Sequence, residues 1–287
     1  MNLNEMIPQN IQQRLVALKT IRIILVRTSH PGNVGQVARA MANMGLSELY
    51  ITSPRFPDMC AQPDAISLAS GATDVLERAH IVPDLQTALE GVQCAFAFSA
   101  RPRDLSPPMR TSAQAAAEVV AQFDQAILSE HATPKIAFVF GAERSGLVND
   151  EVMQCQRLCQ IEANPEYNSL NLAQAVQVMT YSLRQAMLHT SEQANTAVEA
   201  DAASFVLSTP KLSLEVAIQQ QLADLARVEG MLAHWEQMLV ALELLNPEIP
   251  CEKMARLRAM FARTQLSNNE VNFLRGIASA VLERNPS

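Results

Sequence analysis

Short apolar runs alternate with helical patterns over about 170 residues, and this order predicts an α/β protein built on a mostly parallel sheet. The runs are continuous and contain β-branched residues, as in strands that are buried on both faces. Turns rich in glycine, proline or asparagine follow several of them. The predicted strands cover residues 21–26, 46–52, 79–82, 94–99, 135–140 and 158–161.

The chain beyond these strands divides into a linker and a small all-helical extension. A long helical pattern at residues 169–188 closes the α/β unit, and the Ser-, Thr-, Ala- and acid-rich stretch that follows predicts a linker. Helices are then predicted over residues 212–245, 251–263 and 267–283. The first carries an apolar stripe that includes Leu222 and Leu225, and the last begins with a capping box between Ser267 and Glu270. The predicted boundaries are 1–190, 191–211 for the linker, and 212–287.

The composition is that of a globular protein, with 48% hydrophobic and 18% charged residues. No apolar run approaches the roughly 20 residues that cross a bilayer, and no secretory signal pattern opens the chain, so we expect a cytoplasmic protein without a membrane partner. Five scattered cysteines, an odd number, do not form a disulfide pattern. Cys155 and Cys159 could share a helix face as metal ligands or as buried apolar residues; with no histidine near them in sequence, we expect no metal site.

The net charge of -7 argues against nonspecific binding of nucleic acid, because phosphate affinity comes mainly from lysine and arginine. Two segments, residues 100–111 and 251–264, are nevertheless locally basic. Each is either a solvated surface or a face for a polyanion such as RNA. The candidate RNA-binding residues in these segments are Arg101, Arg103, Lys253, Arg256 and Arg258.

Ligands of parallel α/β sheets bind beyond the carboxyl ends of the strands, so the loops at those ends form one candidate site. The four loops are residues 28–39, 98–103, 141–147 and 164–173. Gly32 and Gly35 lack the Gly-x-Gly-x-x-Gly spacing, and the second strand ends without an acidic residue. A nicotinamide-dependent oxidoreductase would require both features. His30, in the first loop, is either a proton-transfer group or an ordinary loop residue.

Three of these segments, in chain order, resemble the signature motifs of the SPOUT class of RNA methyltransferases, within its ribose 2'-O-methylating branch. The resemblance is strong over residues 21–188 and looser over the C-terminal helices. The sequences of these motifs are most similar to those of bacterial enzymes that methylate cytidine or uridine at position 32 of the tRNA anticodon loop. The motifs are Asn33-x-Gly35-x-x-x-Arg39, Phe138-Val139-Phe140-Gly141-x-Glu143-x-x-Gly146-Leu147 and Asn168-Ser169-Leu170-Asn171-Leu172-Ala173.

The resemblance implies a fold whose C-terminal part threads through a loop to form a trefoil knot, which general rules of chain topology would not predict. It also implies S-adenosylmethionine as cofactor, tRNA as partner, and a homodimer with the active site at the subunit interface. Phe98 and Asn168 depart from the family pattern, in which a small hydroxyl residue is usual. Backbone contacts to the cofactor would survive both changes. The implied cofactor-binding residues are Phe98, Ser99, Ala100, Gly141, Ile161, Asn168, Ser169 and Leu170.

The family's catalytic residue maps to Arg39, one turn into the first helix after the first strand. A guanidinium is a poor base because its pKa lies above about 12. We therefore expect Arg39 to hold the target phosphate and stabilise the developing alkoxide, with Ser169 or a water relaying the proton. The rival interpretation is a non-catalytic RNA-binding protein on the same fold.

Asn33 and Glu143 are expected either to orient the first and second motif loops or to act in catalysis directly. Glu143 is further expected to pair with an arginine. Arg27 stands at a strand end where close relatives tend to carry an acid, so no role is assigned to it.

Overall fold

The computed structural model describes residues 7–100, 106–164, 166–189, 222–246, 252–262, 264 and 266–284. Among the predicted features, Arg101, Arg103, the linker at 191–211 and the start of the helix predicted from residue 212 lie outside these ranges. A sheet of seven strands forms the centre: β1 (Arg22–Val26), β2 (Glu48–Thr52), β3 (His80–Val82), β4 (Cys94–Phe98), β5 (Met109–Thr111), β6 (Ile136–Phe140) and β7 (Arg157–Gln160). Their order in the sheet is β3-β2-β1-β6-β4-β7-β5, and every recorded strand pair is parallel.

Helices cover the sheet and form the C-terminal extension, which confirms the predicted fold class. Short 3₁₀ turns lie at Leu18–Thr20 and Met59–Ala61. The helices of the α/β unit are α1 (Gln9–Ala17), α2 (Pro31–Met44), α3 (Pro63–Ala69), α4 (Thr73–Glu77), α5 (Leu85–Ala88), α6 (Ser112–Leu128), α7 (Asn149–Met153) and α8 (Leu172–Leu188). Those of the extension are α9 (Leu225–Ala241), α10 (Glu252–Phe261) and α11 (Asn268–Arg284).

Both faces of the central strands β1, β4 and β6 are buried, as the continuous apolar runs predict. All five residues of β1 are buried, and its four apolar residues alternate between two clusters. Ile23 and Leu25 join the cluster under α2, α6 and α8, whereas Ile24 and Val26 join the cluster on the opposite face. Successive side chains of a strand point to opposite faces, so a fully apolar run is what a sheet covered on both sides requires.

Two local predictions differ from the structure. Met109–Thr111 is an edge strand beside β7 that the sequence did not indicate, because three residues are too few to show a period. Helix α8 begins at Leu172 rather than at residue 169. Asn171 caps it, since its side chain accepts a bond of 2.9 Å from the Ala173 N–H, and residues 168–170 therefore precede the helix.

The C-terminal helices contact the α/β unit. Leu222 was predicted within the helical stripe but precedes α9, where it forms a bridge with Ser267. Leu225 belongs to a core cluster of the α/β unit, and its N–H donates to the Val92 carbonyl at 2.9 Å. The capping box between Ser267 and Glu270 is confirmed, with bonds of 3.3 and 2.7 Å.

In the part of the chain that the structure describes, no helix is both long enough and apolar enough to span a bilayer. The order of the strands is compatible with the predicted trefoil knot, and the threading itself stays a prediction.

Gly35 lies inside α2, where it allows close packing on α3. A Cβ atom at this position would lie 2.2 Å from the Ala65 carbonyl oxygen. Helix propensity alone favours alanine over glycine by about 1 kcal/mol. We expect the clash to prevail, so that Gly35→Ala lowers the free energy of unfolding by about 1–3 kcal/mol in urea titrations.

The control is Gly71→Ala, where no atom lies within 4 Å of the added methyl group. A Gly35→Ala protein as stable as this control would contradict the close approach of α2 and α3.

Candidate active site

A cleft opens at the carboxyl ends of β4, β6 and β7 and is closed on one side by the start of α8. Its volume is about 840 Å³, part of it open to solvent. The structure brings together here all the residues that the resemblance assigned to the cofactor; their role in binding stays a prediction. They are Phe98, Ser99, Ala100, Gly141, Ile161, Asn168, Ser169 and Leu170.

Gly141 permits the tight loop that forms one wall of the cleft. Ala142 and Gly146 pair across this loop, and the Gly146 N–H donates to the Ala142 carbonyl at 2.8 Å. A Cβ atom on Gly141 would lie 2.2 Å from the Gly146 carbonyl carbon and from the Leu147 nitrogen. Only glycine fits this close approach of two backbone segments.

The ring of Phe98 packs against other aromatic rings. The ring is stacked on Phe140 with centroids 4.4 Å apart, and it meets the edge of Phe138 at 5.8 Å. Only 8% of Phe98 is exposed, and the residue belongs to the core cluster beneath the cleft. The departure from the family pattern therefore adds packing area while the backbone of residues 98–100 still borders the cleft.

Glu143 is the centre of the contacts between the loop after β6 and the loop after β1. Its Oε1 accepts bonds from Thr28 Oγ1 and Asn33 Nδ2, both at 3.0 Å, and from the His30 N–H at 3.2 Å. Its Oε2 accepts bonds from Ser29 Oγ at 3.0 Å and from the Ser29 N–H at 3.1 Å. The two loops are thereby held through a single carboxylate.

The ionised form of Glu143 is strongly favoured. Burial by itself raises the pKa of this carboxyl group, but the hydrogen bonds from Asn33, from backbone N–H groups including that of Ser29, and from Thr28 outweigh it and lower the pKa to about 2. The expected arginine partner is not among the contacts recorded for Glu143 in the described ranges and stays a prediction. Within the described residues, the recorded ion-pair partner of Glu143 is His30, whose Nδ1 lies 3.5 Å from Oε1.

Asn33 connects the third motif to the other two. Its Nδ2 donates to Glu143, and its Oδ1 accepts a bond of 3.0 Å from Asn171 Nδ2. Asn171 is also the N-cap of α8. The polar atoms of Asn33 and Glu143 are thus engaged in joining the three motif segments, which favours the orienting role over direct catalysis.

Arg39 is not among the residues that line the cleft. Because α2 begins at Pro31, Arg39 lies about two turns into the helix rather than one, which corrects the prediction. Its side chain is exposed, and no ion pair is recorded for it within the described ranges. Ser169, by contrast, lies at the cleft and is exposed.

The candidate RNA-binding residues of the extension are partly engaged in contacts within the protein. Arg258 pairs with Glu229 at 3.2 Å, and Lys253 Nζ donates to the Leu244 carbonyl at 2.6 Å. Arg256 is exposed on α10. Spacing along a helix could not reveal the partner of Arg258, because Glu229 belongs to a different helix.

The cysteines proposed as alternative metal ligands are buried. Burial raises the pKa of the Cys159 thiol to about 12 and that of Cys155 further, so both remain neutral. In the described part of the chain, no group of three or more His, Cys, Asp or Glu side chains could hold a metal ion.

Comparison with known proteins agrees with this geometry. The model of the SpoU rRNA methylase family matches residues 20–181, and that of the TrmJ C-terminal domain matches residues 226–286. The chain belongs to the SpoU rRNA methylase family. The prediction of the family is therefore confirmed, and the second match covers the helical extension.

Individual relatives carry related names. The tRNA (cytidine/uridine-2'-O-)-methyltransferase TrmJ of Klebsiella pneumoniae is 41% identical over 93% of this chain and 98% of its own. The tRNA (cytidine/uridine/adenosine-2'-O-)-methyltransferase TrmJ of Pseudomonas aeruginosa is 39% identical over 91% and 93%.

Solved structures agree as well. The crystal structure of TrmJ from Z. mobilis aligns with a TM-score of 0.68 at 28% identity, over 91% of this chain and 98% of that one. A probable methyltransferase from Bordetella pertussis is 46% identical with a TM-score of 0.55, over 61% of this chain and 99% of its own.

We expect Glu143→Gln to destabilise the protein by about 1–3 kcal/mol, because an amide leaves several of the surrounding donors without an acceptor. A carboxyl group whose folded pKa is lowered contributes stability above its unfolded pKa. This contribution is lost as the pH falls from about 4.5 towards 2.

Denaturant unfolding of both proteins across this pH range checks the prediction. The difference in stability should be constant near neutral pH and should shrink in acid. A difference independent of pH would show that the charge of Glu143 does not carry the effect.

Proposed function

We propose that this protein transfers a methyl group from S-adenosylmethionine to the ribose 2'-hydroxyl of cytidine or uridine at position 32 of the tRNA anticodon loop. The cleft carries the proposal. Eight residues predicted from the motifs to contact the cofactor surround a single space at the carboxyl ends of the strands, where ligands of parallel α/β sheets bind.

The prediction that the chain is a tRNA 2'-O-methyltransferase is confirmed by relatives of that name, about 40% identical over most of its length. The cofactor and the position of the nucleotide are finer statements and belong to the proposal. We further propose that the protein acts in the cytoplasm.

Transfer of a methyl group to a hydroxyl is an in-line displacement at the sulfonium carbon, so the protein has to align two partners and remove a proton. The cleft would hold the methyl donor, with many contacts through backbone atoms. Ser169, exposed at the cleft, or a water beside it relays the proton. Arg39 binds the target phosphate and stabilises the developing alkoxide.

The position of Arg39 supports a homodimer in which each site receives this residue from the other subunit. Arg39 is exposed and does not line the cleft of its own chain. Helix α8 also presents Val178, Tyr181 and Leu188 to solvent, at 36%, 52% and 37% exposure. Spacings of three and seven residues place these side chains along one stripe of the helix, which suits a face that pairs with a second copy.

The helical extension is proposed to contribute to tRNA binding, as a unit of residues 212–287 joined through a linker at 191–211 to the catalytic unit at 1–190. Arg256 is exposed on α10, and Lys253 is exposed beside it. Arg101 and Arg103 follow β4 in the sequence and are proposed as further contacts to RNA phosphates.

The rival function, a non-catalytic RNA-binding protein, is disfavoured by the cleft. Asn168 departs from the family pattern, yet it lines the same space as the other predicted residues. Titration with S-adenosylmethionine in a calorimeter separates the two functions, because a binder that had lost activity would not need to retain the cofactor.

Nucleoside mass spectrometry of tRNA incubated with the protein and methyl-labelled S-adenosylmethionine tests the proposal. We expect label at the 2'-oxygen of nucleotide 32.

Arg39→Ala should lower the single-turnover rate by about 100-fold or more, since it removes an electrostatic contact made to the transition state. Arg39→Lys should retain part of the activity because it keeps the charge. Equal rates in both variants and the parent would remove Arg39 from the mechanism.

Mixed dimers test whether Arg39 serves the partner's site. Gly141→Ala should abolish cofactor binding through the backbone clash at 2.2 Å. If sites are shared, a mixture of Arg39→Ala and Gly141→Ala chains should recover about a quarter of the parental activity, because half of the randomly formed dimers contain one intact site of two. No recovery after confirmed subunit exchange would contradict sharing.

A further inference from the structure

Arg27 makes contacts that have no part in the proposed methyl transfer. It follows β1 directly, and its Nη2 donates to the Gly146 carbonyl at 3.0 Å and to Glu151 Oε2 at 2.9 Å. The side chain of Glu151 is 13% exposed, and that of Arg27 is 34% exposed. This ion pair is therefore partly shielded from water, unlike an exposed pair on a helix surface.

Glu151 connects the same contact to the first turn of α7. Its Oε2 also accepts a bond of 2.7 Å from the Val148 N–H, the residue before the helix. One guanidinium nitrogen and one carboxylate oxygen thus hold residues 146–148 to the end of β1. We call this set, formed by Arg27, Gly146, Val148 and Glu151, the arginine brace.

The arginine brace holds one end of the loop whose other end is held by Glu143. The Glu143 carboxylate fixes the early part of the loop to residues 28–33, and Arg27 fixes its last part. Both attachments come from the segment that follows β1. The loop between them lines the cleft from Gly141 to Leu147.

The carbonyl that Arg27 binds lies where two backbone segments of the cleft wall approach each other closely. The Gly146 carbonyl carbon is where a Cβ atom on Gly141 would approach to 2.2 Å. The contact with Gly146 therefore sets the separation of two backbone segments, one of which carries Gly141. A shift of a few tenths of an ångström at Gly146 would be transmitted to Gly141, because no side chain lies between them.

The backbone of Arg27 is held in an unusual conformation. Its φ angle is 55°, in the left-handed region that residues other than glycine, asparagine and aspartate rarely adopt. The Arg27 N–H donates to the Thr52 carbonyl at 2.8 Å, which continues the pairing of β1 with β2. Such a conformation persists where surrounding contacts determine it, and it directs this side chain towards Gly146.

We propose that Arg27 is a positioning residue that fixes the Gly141–Leu147 wall of the cleft through the arginine brace and thereby sets the affinity for S-adenosylmethionine. The inference rests on the proposed function, since it concerns the cofactor of that site. Arg27 acts through the wall and not on the reacting atoms, because it does not line the cleft itself.

Arg27→Asn is the informative substitution. Asparagine tolerates the left-handed backbone, so the change removes the long side chain without adding backbone strain. Arg27→Lys keeps the charge and a donor on a long side chain. Arg78→Asn is the matched control, because Arg78 pairs with Asp74 on an exposed helix surface where both side chains are 61% exposed.

Calorimetric titration with S-adenosylmethionine, thermal unfolding and steady-state kinetics are measured for the full chain and each variant. We expect Arg27→Asn to raise the Kd for the cofactor about tenfold, equivalent to about 1.4 kcal/mol, and to raise its KM in parallel. The kcat at saturation and the KM for tRNA should stay within about twofold of the parent. Arg27→Lys should recover part of the affinity, and Arg78→Asn should bind like the parent.

Parental cofactor affinity in Arg27→Asn would overturn the inference. A lower Tm and kcat with an unchanged KM for the cofactor would do so too, because that pattern reports general loss of stability. Failure of the parent to bind S-adenosylmethionine would overturn the proposed function itself, and the inference with it.

Discussion

The candidate site depends on one partly buried carboxylate. Glu143 accepts hydrogen bonds from Thr28, Ser29, His30 and Asn33, and Asn33 in turn accepts one from Asn171. A carboxylate buried without partners would be unstable, whereas one with this many donors is stabilised as an anion. Because the donors come from the segment after β1 and the acceptor from the loop after β6, folding of the sheet and assembly of the cleft are coupled.

The sheet could be predicted from the sequence because its signal is local and repeated. Continuous apolar runs such as residues 136–140 are required in strands covered on both faces. The same reasoning failed where an element was short or its boundary depended on a cap. Met109–Thr111 has three residues, and the start of α8 is set by the side chain of Asn171 rather than by apolar spacing.

The residues of the cleft could be assigned through the motifs, but their partners could not. An arginine was expected beside Glu143, whereas the recorded donors are backbone N–H groups, hydroxyl groups and the Asn33 amide from the loop after β1. Gly35 belongs to a motif, and its structural reason is the packing of α2 on Ala65. Arg27 departs from the residue type that relatives tend to carry and had no assigned role, and its contacts lie 119 and 124 residues away along the chain. Side-chain contacts between residues so far apart along the chain cannot be predicted from sequence spacing or periodicity.

Helix geometry explains why a single chain would supply only part of the proposed machinery. Asn33 and Arg39 both lie on α2, six residues apart. At 3.6 residues per turn, this separation rotates one side chain from the other by roughly 240° about the helix axis. Asn33 faces Glu143 and Asn171, so Arg39 has to face elsewhere. Arg39 does not line the cleft of its own chain, so the proposed homodimer would bring it to the cleft of another copy. The first motif would then serve two sites at once, bracing one through Asn33 and supplying a cation to the other through Arg39.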